Sequence, residues 1–224
     1  MRNVPGSKSF SFSRTMGALL LMVLVSACAT PQAKKGMPRR GTAAAPPPGL
    51  TLKQCYAKLD ANQARYTPLP NERFGGGCSM VGAVKLLDIG VPTTGLGPMT
   101  CGIASNFTAW VRYGVAPAAR IILGSELARV ETFGTYSCRP IAGSNRLSEH
   151  GHANAIDVSA FVLADGRRIT ITNGWNGSDK DREFLRIVRQ SACKRFRTVL
   201  SPDYNEAHHD HLHFDMGGKG TYCR

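Results

Sequence analysis

All six histidines of this chain fall in two short clusters, and that placement constrains the fold more than any other feature. His150 and His152 lie in Ser148-Glu149-His150-Gly151-His152-Ala153-Asn154-Ala155-Ile156-Asp157, and His208, His209, His211 and His213 lie in the run that ends at Asp215. If the clusters act together, the chain must fold back on itself between them. Imidazole is the commonest metal ligand and the usual general base near neutral pH. In a strand, residues i, i+2 and i+4 share a face. His211, His213 and Asp215 would then face one way, while Leu212 and Phe214 face a core. Ala155 to Val162 also reads as a strand, with Asp157 near its start and His150 in the loop before it. A catalytic zinc site takes three protein ligands and leaves one position for water. His150, Asp157 and one of His211 or His213 supply such a set, and the other strand-face histidine is left to handle protons. His152 and His209 read as outer-shell or exposed residues.

The N-terminus reads as an export signal over residues 1–27. Arg2, Lys8 and Arg14 form a basic segment, and Met16 to Val25 is an apolar stretch too short for a typical membrane span. It ends Leu24-Val25-Ser26-Ala27-Cys28, a lipobox, so Cys28 is the expected lipidation site. Ala29 rather than Asp follows, which in a Gram-negative bacterium implies sorting to the outer membrane. A lipid chain anchors a protein without spanning the bilayer. Residues 28–50 are rich in Ala, Pro, Lys and Arg, a composition that builds no core and favours an extended tether.

Residues 51–224 remain, enough for one domain with its own core. The whole chain carries a net charge of +13. Without the three cations of the signal and the four of the tether (Lys34, Lys35, Arg39, Arg40), the domain stands near +6. That mildly basic balance suits an anionic envelope polymer or lipopolysaccharide, and no nucleic-acid motif is present. Oligomeric state is not legible.

Six cysteines follow Cys28: Cys55, Cys78, Cys101, Cys138, Cys193 and Cys223. An even count in an exported chain reads as three disulfides out of 15 possible pairings. The expected pairs are Cys55–Cys78, Cys101–Cys138 and Cys193–Cys223, the last tying a helix before the histidine run to the C-terminal segment. No Cys-x-x-Cys occurs, which argues against thiolate metal ligands.

The coarse pattern is α+β, a small antiparallel sheet carrying the histidine site with helices on one face. Helices are expected from Thr51 to Asp60, up to about Tyr113, from Ala118 to Leu127 beyond an interruption at Pro117, and from Ser178 to Phe196. In the last, Phe184, Ile187, Val188 and Ser191 would share a face. Trp110 reads as core. Strands are expected at Val84–Leu87, Ala128–Thr132, Ile169–Thr172 and Thr198–Leu200, besides the two that carry the site.

Two motifs carry a resemblance. Ser148-x-His150, with Asp157 seven residues after the His and Ala155 two before the Asp, together with His211-x-His213, resembles a group of zinc peptidases. That group includes D-alanyl-D-alanine carboxypeptidases, lysostaphin-type endopeptidases and hedgehog domains. The closer resemblance, over roughly residues 52 to 224, is to the bacterial extensin-like C-terminal domain family. It rests on Tyr136-Ser137-Cys138-Arg139, Ser148-Glu149-His150, His208-x-Asp210-His211-x-His213-x-Asp215 and Tyr222-Cys223-Arg224.

The resemblance implies that His150, Asp157 and His213 bind one zinc ion and that His211 is the catalytic base or transition-state stabiliser. It also implies that His208 is a further active-site histidine and that Arg139 contacts substrate; Ser148 either holds substrate or caps the loop. Asp210 and Asp215 are the candidates to orient the histidines. Combined with the export signal, this implies a zinc peptidase that cuts peptidoglycan stem peptides as a D,D-endopeptidase or carboxypeptidase. The other readings are a non-catalytic, lipid-anchored wall-binding module and a periplasmic metal buffer. Ala153 departs from the Gly usual in those enzymes, which matters if the position requires a positive φ. The Glu-x-x-Trp-His form of the second motif is absent, so a glutamate base is not supported.

Overall fold

The structure, a computed structural model, describes residues 51–224. The expected signal, Cys28 and the tether lie outside the described residues. No helix among the described residues is long and apolar enough to cross a membrane.

The domain begins with a helix, Leu52–Ala61, started by a capping box. The Thr51 hydroxyl accepts from the Gln54 N–H, and the Gln54 side chain accepts from the Thr51 N–H. Cys101–Trp110 is the next helix, capped by Thr100. Pro117 does not end the helical run, contrary to the pattern. Wider π-helical turns at Val111–Val115 and Ala119–Leu123 flank a short α segment, Ala116–Ala118. The Ala116 N–H bonds to the Val111 carbonyl, five residues back. Proline has no N–H to give to a tighter ladder, and widened turns accommodate that gap. Left-handed Gly124 (φ 69°) stops the run, and the strand after it spans Leu127–Gly134.

The main sheet has seven strands and is mixed rather than wholly antiparallel. Across the sheet the order is Tyr222–Cys223, Thr198–Leu200, Leu212–Asp215, Ala155–Leu163, Leu127–Gly134 and Thr93–Thr94. Arg168–Thr170 pairs with the far end of Ala155–Leu163. The two terminal pairings are parallel, and the central ones are antiparallel. A separate three-stranded sheet holds Arg65–Pro68, Ala83–Asp88 and Met99–Thr100. The strand expected to reach Thr172 stops at Thr170, where the Thr170 hydroxyl caps a short helix, Ile171–Gly174.

The central strand does not keep one alternation along its length. Its partner register moves from Ala160 opposite Glu131 to Val158 opposite Thr132, which leaves Ser159 unpaired. The phase therefore changes. Ile156 and Val158 before the break and Phe161 and Leu163 after it all join the core, while Asp157 points to the other face. Trp110 sits fully buried beneath this sheet. Its ring lies 4.9 Å edge-on from Phe214 and 6.0 Å from Phe161, and its indole N–H donates to the Val188 carbonyl. Val188 belongs to the helix Asp179–Cys193, capped by Ser178. That helix buries Phe184, Leu185, Val188 and Ala192, whereas Ile187 is 41% exposed, so the expected face is rotated. Gly114 lets it pack closely, since a Cβ there would meet the Ser191 Oγ at 2.3 Å.

Three disulfides are present, and two pairings differ from expectation. Cys55 bonds Cys101 and Cys78 bonds Cys138, while Cys193–Cys223 is as expected. Pairing neighbours along the chain fails because the first two helices pack together, setting Cys55 against Cys101. Cys78 then meets the segment that carries Arg139, and its sulfur lies against Gly151.

Candidate metal centre

Leu212–Asp215 and the central strand place His213 directly opposite Asp157 in antiparallel register. Leu212 and Phe214 point to the opposite face and are fully buried in the core, which fixes the backbone that carries His213. His150 arrives from a one-turn 3₁₀ helix, Glu149–His152, whose N-cap is Ser148. The Ser148 hydroxyl accepts from the His150 N–H, so this buried residue caps the loop while also lining the cleft. Ala153 ends the turn in the left-handed region at φ 52°, fully buried. A residue with a Cβ pays roughly 1–2 kcal/mol there. The loop is held regardless, because the Ala153 carbonyl accepts from Thr100 N–H at 2.7 Å and its N–H donates to His150.

His150, Asp157 and His213 form the one group among the described residues that could hold a metal ion, with one ligand atom from each lying within 4.8 Å of the others. His150 Nε2 is 3.1 Å from the Asp157 carboxylate and 3.2 Å from His213 Nδ1, which is 2.8 Å from Asp157. A tetrahedral ion with bonds of about 2.0–2.2 Å needs edges of roughly 3.3 Å, close to these values. The hydrogen-bond chemistry fits as well. His150 Nδ1 lies 2.6 Å from the Thr135 carbonyl, which can only accept, so Nδ1 carries the hydrogen and Nε2 keeps a lone pair. His213 has a carboxylate at each ring nitrogen, Asp215 3.1 Å from Nε2 and Asp157 2.8 Å from Nδ1; with the hydrogen on Nε2, Nδ1 is left with a lone pair. Three lone-pair donors meeting in a buried place call for a cation. A carboxylate behind a ligating imidazole is the usual orienting partner, and Asp215 fills that role here.

The same carboxylates favour a proton on His213. Burial acts to lower the His213 pKa, but Asp157 and Asp215 outweigh it and push it up to about 9. Burial acts to raise the Asp157 carboxyl, but the imidazoles of His150 and His213 hold it below the ordinary carboxylate range.

His211 lies just before the strand. Its Nδ1 donates to Asp210 at 2.8 Å, and its Nε2 is 3.5 Å from Asp157. Asp210 thus orients His211, and Asp215 orients His213. His208 stands beside His211 and His213, with ring centroids 5.1 and 5.8 Å away. Burial, then the neighbouring His211 and His213 charges, push its pKa down to about 4. Its Nδ1 donates to the Asn205 side chain at 2.6 Å, leaving Nε2 free to accept a proton. Arg139 is half exposed, with its guanidinium 3.9 Å from Asp157. His152 bonds Ser79 and His209 bonds the Glu206 carbonyl, both outside the centre.

The centre opens to a cleft of about 340 Å³ walled by Ile141, Leu200, Tyr204 and Tyr222. Sequence reasoning missed the Thr135 carbonyl, Asn205 and the two tyrosines. Asn205 left a trace as an amide three residues before a clustered histidine, and Tyr222 as part of the Tyr222-Cys223-Arg224 motif.

Fold and site together define a disulfide-stapled α+β domain with a buried candidate His–Asp–His metal group on the face of a mixed sheet opposite the main core. The chain belongs to the extensin-like protein C-terminus family, whose model matches residues 53–224. No curated protein and no solved structure matches the chain.

Proposed function

We propose that this chain is a zinc-dependent hydrolase that cuts peptidoglycan stem peptides. The observation that carries this reading is the convergence of the His150, Asp157 and His213 ligand atoms beside an open cleft. Two imidazoles and one carboxylate suit zinc, and three protein ligands are the number found in hydrolytic sites. When bound, zinc supplies Lewis acidity and lowers the pKa of water towards ~7.

The chain's own groups do the rest. His211, oriented by Asp210, takes a proton at Nε2. His208, held by Asn205, offers a second proton acceptor. Arg139 places a guanidinium where a substrate carboxylate or a developing oxyanion would lie. The Ser-x-His…Asp and His-x-His motifs resemble those of the zinc carboxypeptidases and lysostaphin-type endopeptidases, which supports peptide hydrolysis. The lipobox at Cys28 supports the wall as substrate, with the domain anchored by lipid on the periplasmic face of the outer membrane.

The test is product analysis by mass spectrometry after incubating purified peptidoglycan with the zinc-loaded full chain. Cleaved stem peptides are the expected result. Stoichiometric zinc with unchanged peptidoglycan would leave the non-catalytic wall-binding module instead.

A further inference from the structure

We infer that Asn154 is a positioning residue for the metal centre. It fastens the loop that carries His150 to the strand that carries His213, and so sets the spacing of the ligand atoms. The inference rests on the metal-site reading above and not on hydrolysis. Both backbone groups of Asn154 and both ends of its side-chain amide are engaged. The backbone N–H donates to the Glu149 carbonyl at 2.9 Å, and the side-chain N–H donates to the Glu149 carboxylate at 2.6 Å. The side-chain oxygen accepts from the Thr100 hydroxyl at 3.1 Å, and the backbone carbonyl accepts from the Met216 N–H at 3.3 Å.

These bonds join three elements. Glu149 shares the 3₁₀ turn with His150, Thr100 caps the helix Cys101–Trp110, and Met216 directly follows the strand Leu212–Asp215. Asp157 lies three residues beyond Asn154 in the central strand. One residue thus reaches every segment that delivers a ligand. Its amide can point only one way. A carboxylate only accepts, so Nδ2 must face Glu149 and Oδ1 must face the Thr100 hydroxyl. Glu149 is confined on another side as well. A Cβ at Gly217 would meet its Oε1 at 2.3 Å, so the chain leaving Met216 passes against the same carboxylate.

The loop needs such a tie. Ala153, between His152 and Asn154, is left-handed at φ 52°. A residue with a Cβ stays in that region only where its surroundings over-determine it. The Thr100 N–H holds the Ala153 carbonyl, and Asn154 closes the turn back onto Glu149. A ligand constellation works when its members are held within about 0.5 Å. If the turn relaxes, His150 Nε2 leaves its place 3.2 Å from His213 Nδ1. None of the Asn154 bonds goes to His150, Asp157 or His213, so Asn154 acts on the metal through the loop it closes.

The measurement is the zinc affinity of the folded full chain, read by competition with a chromophoric chelator. A residue that served stability alone would lower the melting temperature and leave that affinity unchanged. Asn154→Asp replaces the amide N–H with an oxygen at almost the same size and sets it against the Glu149 carboxylate. Its Kd for zinc should rise roughly tenfold or more, the usual range when an outer partner of a metal site is lost. Combining Asn154→Asp with Glu149→Gln reverses the pair, so that an amide again donates to a carboxylate and the net charge is that of the wild type. The double variant should return Kd to within roughly threefold of wild type, the mark of two residues acting as one contact. Glu149→Ala removes the same bond from the other partner, at a half-buried position, and keeps the test open where Asn154→Asp fails to fold. Its Kd should rise likewise. Wild-type affinity in Asn154→Asp or Glu149→Ala, or no recovery in the double variant, overturns the inference and leaves the zinc site in place. A wild-type chain that binds no zinc overturns both.

Discussion

His213 is held on two sides by carboxylates, Asp157 at Nδ1 and Asp215 at Nε2, and it faces His150. His211 is held by Asp210 and has no such seat among the ligands. The two histidines should therefore fail differently. His213→Ala should lose metal and activity together. His211→Ala should keep near-stoichiometric zinc while turnover falls ~10²–10⁴-fold, the usual cost of a lost positioned base. Zinc retained by His213→Ala, or lost from His211→Ala, would show the roles to be exchanged. Acidity gives a second prediction at this scale. Without metal, folded His213 keeps its proton up to about pH 9, against ~6.5 in the unfolded chain. That proton contributes stability fully below about pH 6.5, and the contribution is lost as pH rises towards 9. Metal needs the same ring unprotonated, so its stabilisation grows over that window. Relative to the chelated chain, zinc-loaded protein should gain melting temperature steadily between pH 6.5 and 9. A gap that stays constant with pH would remove His213 from the ligand set. These side chains were legible because imidazoles and carboxylates name their chemistry in the sequence. The Thr135 carbonyl that fixes the His150 tautomer was not, since every residue has a carbonyl and only the fold selects one.

At the scale of elements, alternation read the two site strands because their core faces carry apolar side chains. Ile156, Val158, Leu212 and Phe214 are all fully buried. Alternation could not read the phase change at Ser159 or the helix through Pro117, because both come from local backbone geometry that changes the repeat itself. It also misplaced Ile187, since the helix over 179–193 is turned by where Trp110 meets Val188. Disulfide partners depend on which elements pack together, and spacing does not encode that. The pairs found place two cross-links around the site: Cys78–Cys138 beside the Arg139 segment, and Cys193–Cys223 beside the strand edge that carries Tyr222. Free-thiol titration of the unfolded, non-reduced domain should find none of these six thiols reactive. Peptide mapping should recover Cys55–Cys101 and Cys78–Cys138. Loss of a native disulfide typically costs ~2–5 kcal/mol, so reduction should lower the melting temperature sharply. Recovery of a Cys55–Cys78 peptide would contradict the helix packing described above.

At the scale of the whole molecule, anchoring and folding should be separable. Among the described residues, the core and the three disulfides begin at Cys55, and the candidate ligand group lies between His150 and His213. The proposed lipobox ends at Cys28, more than twenty residues before the first helix among the described residues. The proline-rich composition between them favours an extended chain, so the anchor should act on location without acting on the fold. Cys28→Ser should abolish labelling by a palmitate analogue and move the protein from the membrane fraction to the soluble fraction. Zinc content and melting temperature should stay at wild type, and purified peptidoglycan should be cut in solution at the wild-type rate. What should fall is action on the wall in the cell, because a single site free in solution loses the effective concentration that tethering gives. If the variant still labels and stays in the membrane fraction, the lipobox is not the anchor. If it delocalises and also loses its metal, the residues before 51 contribute to the fold, and the two parts are not independent.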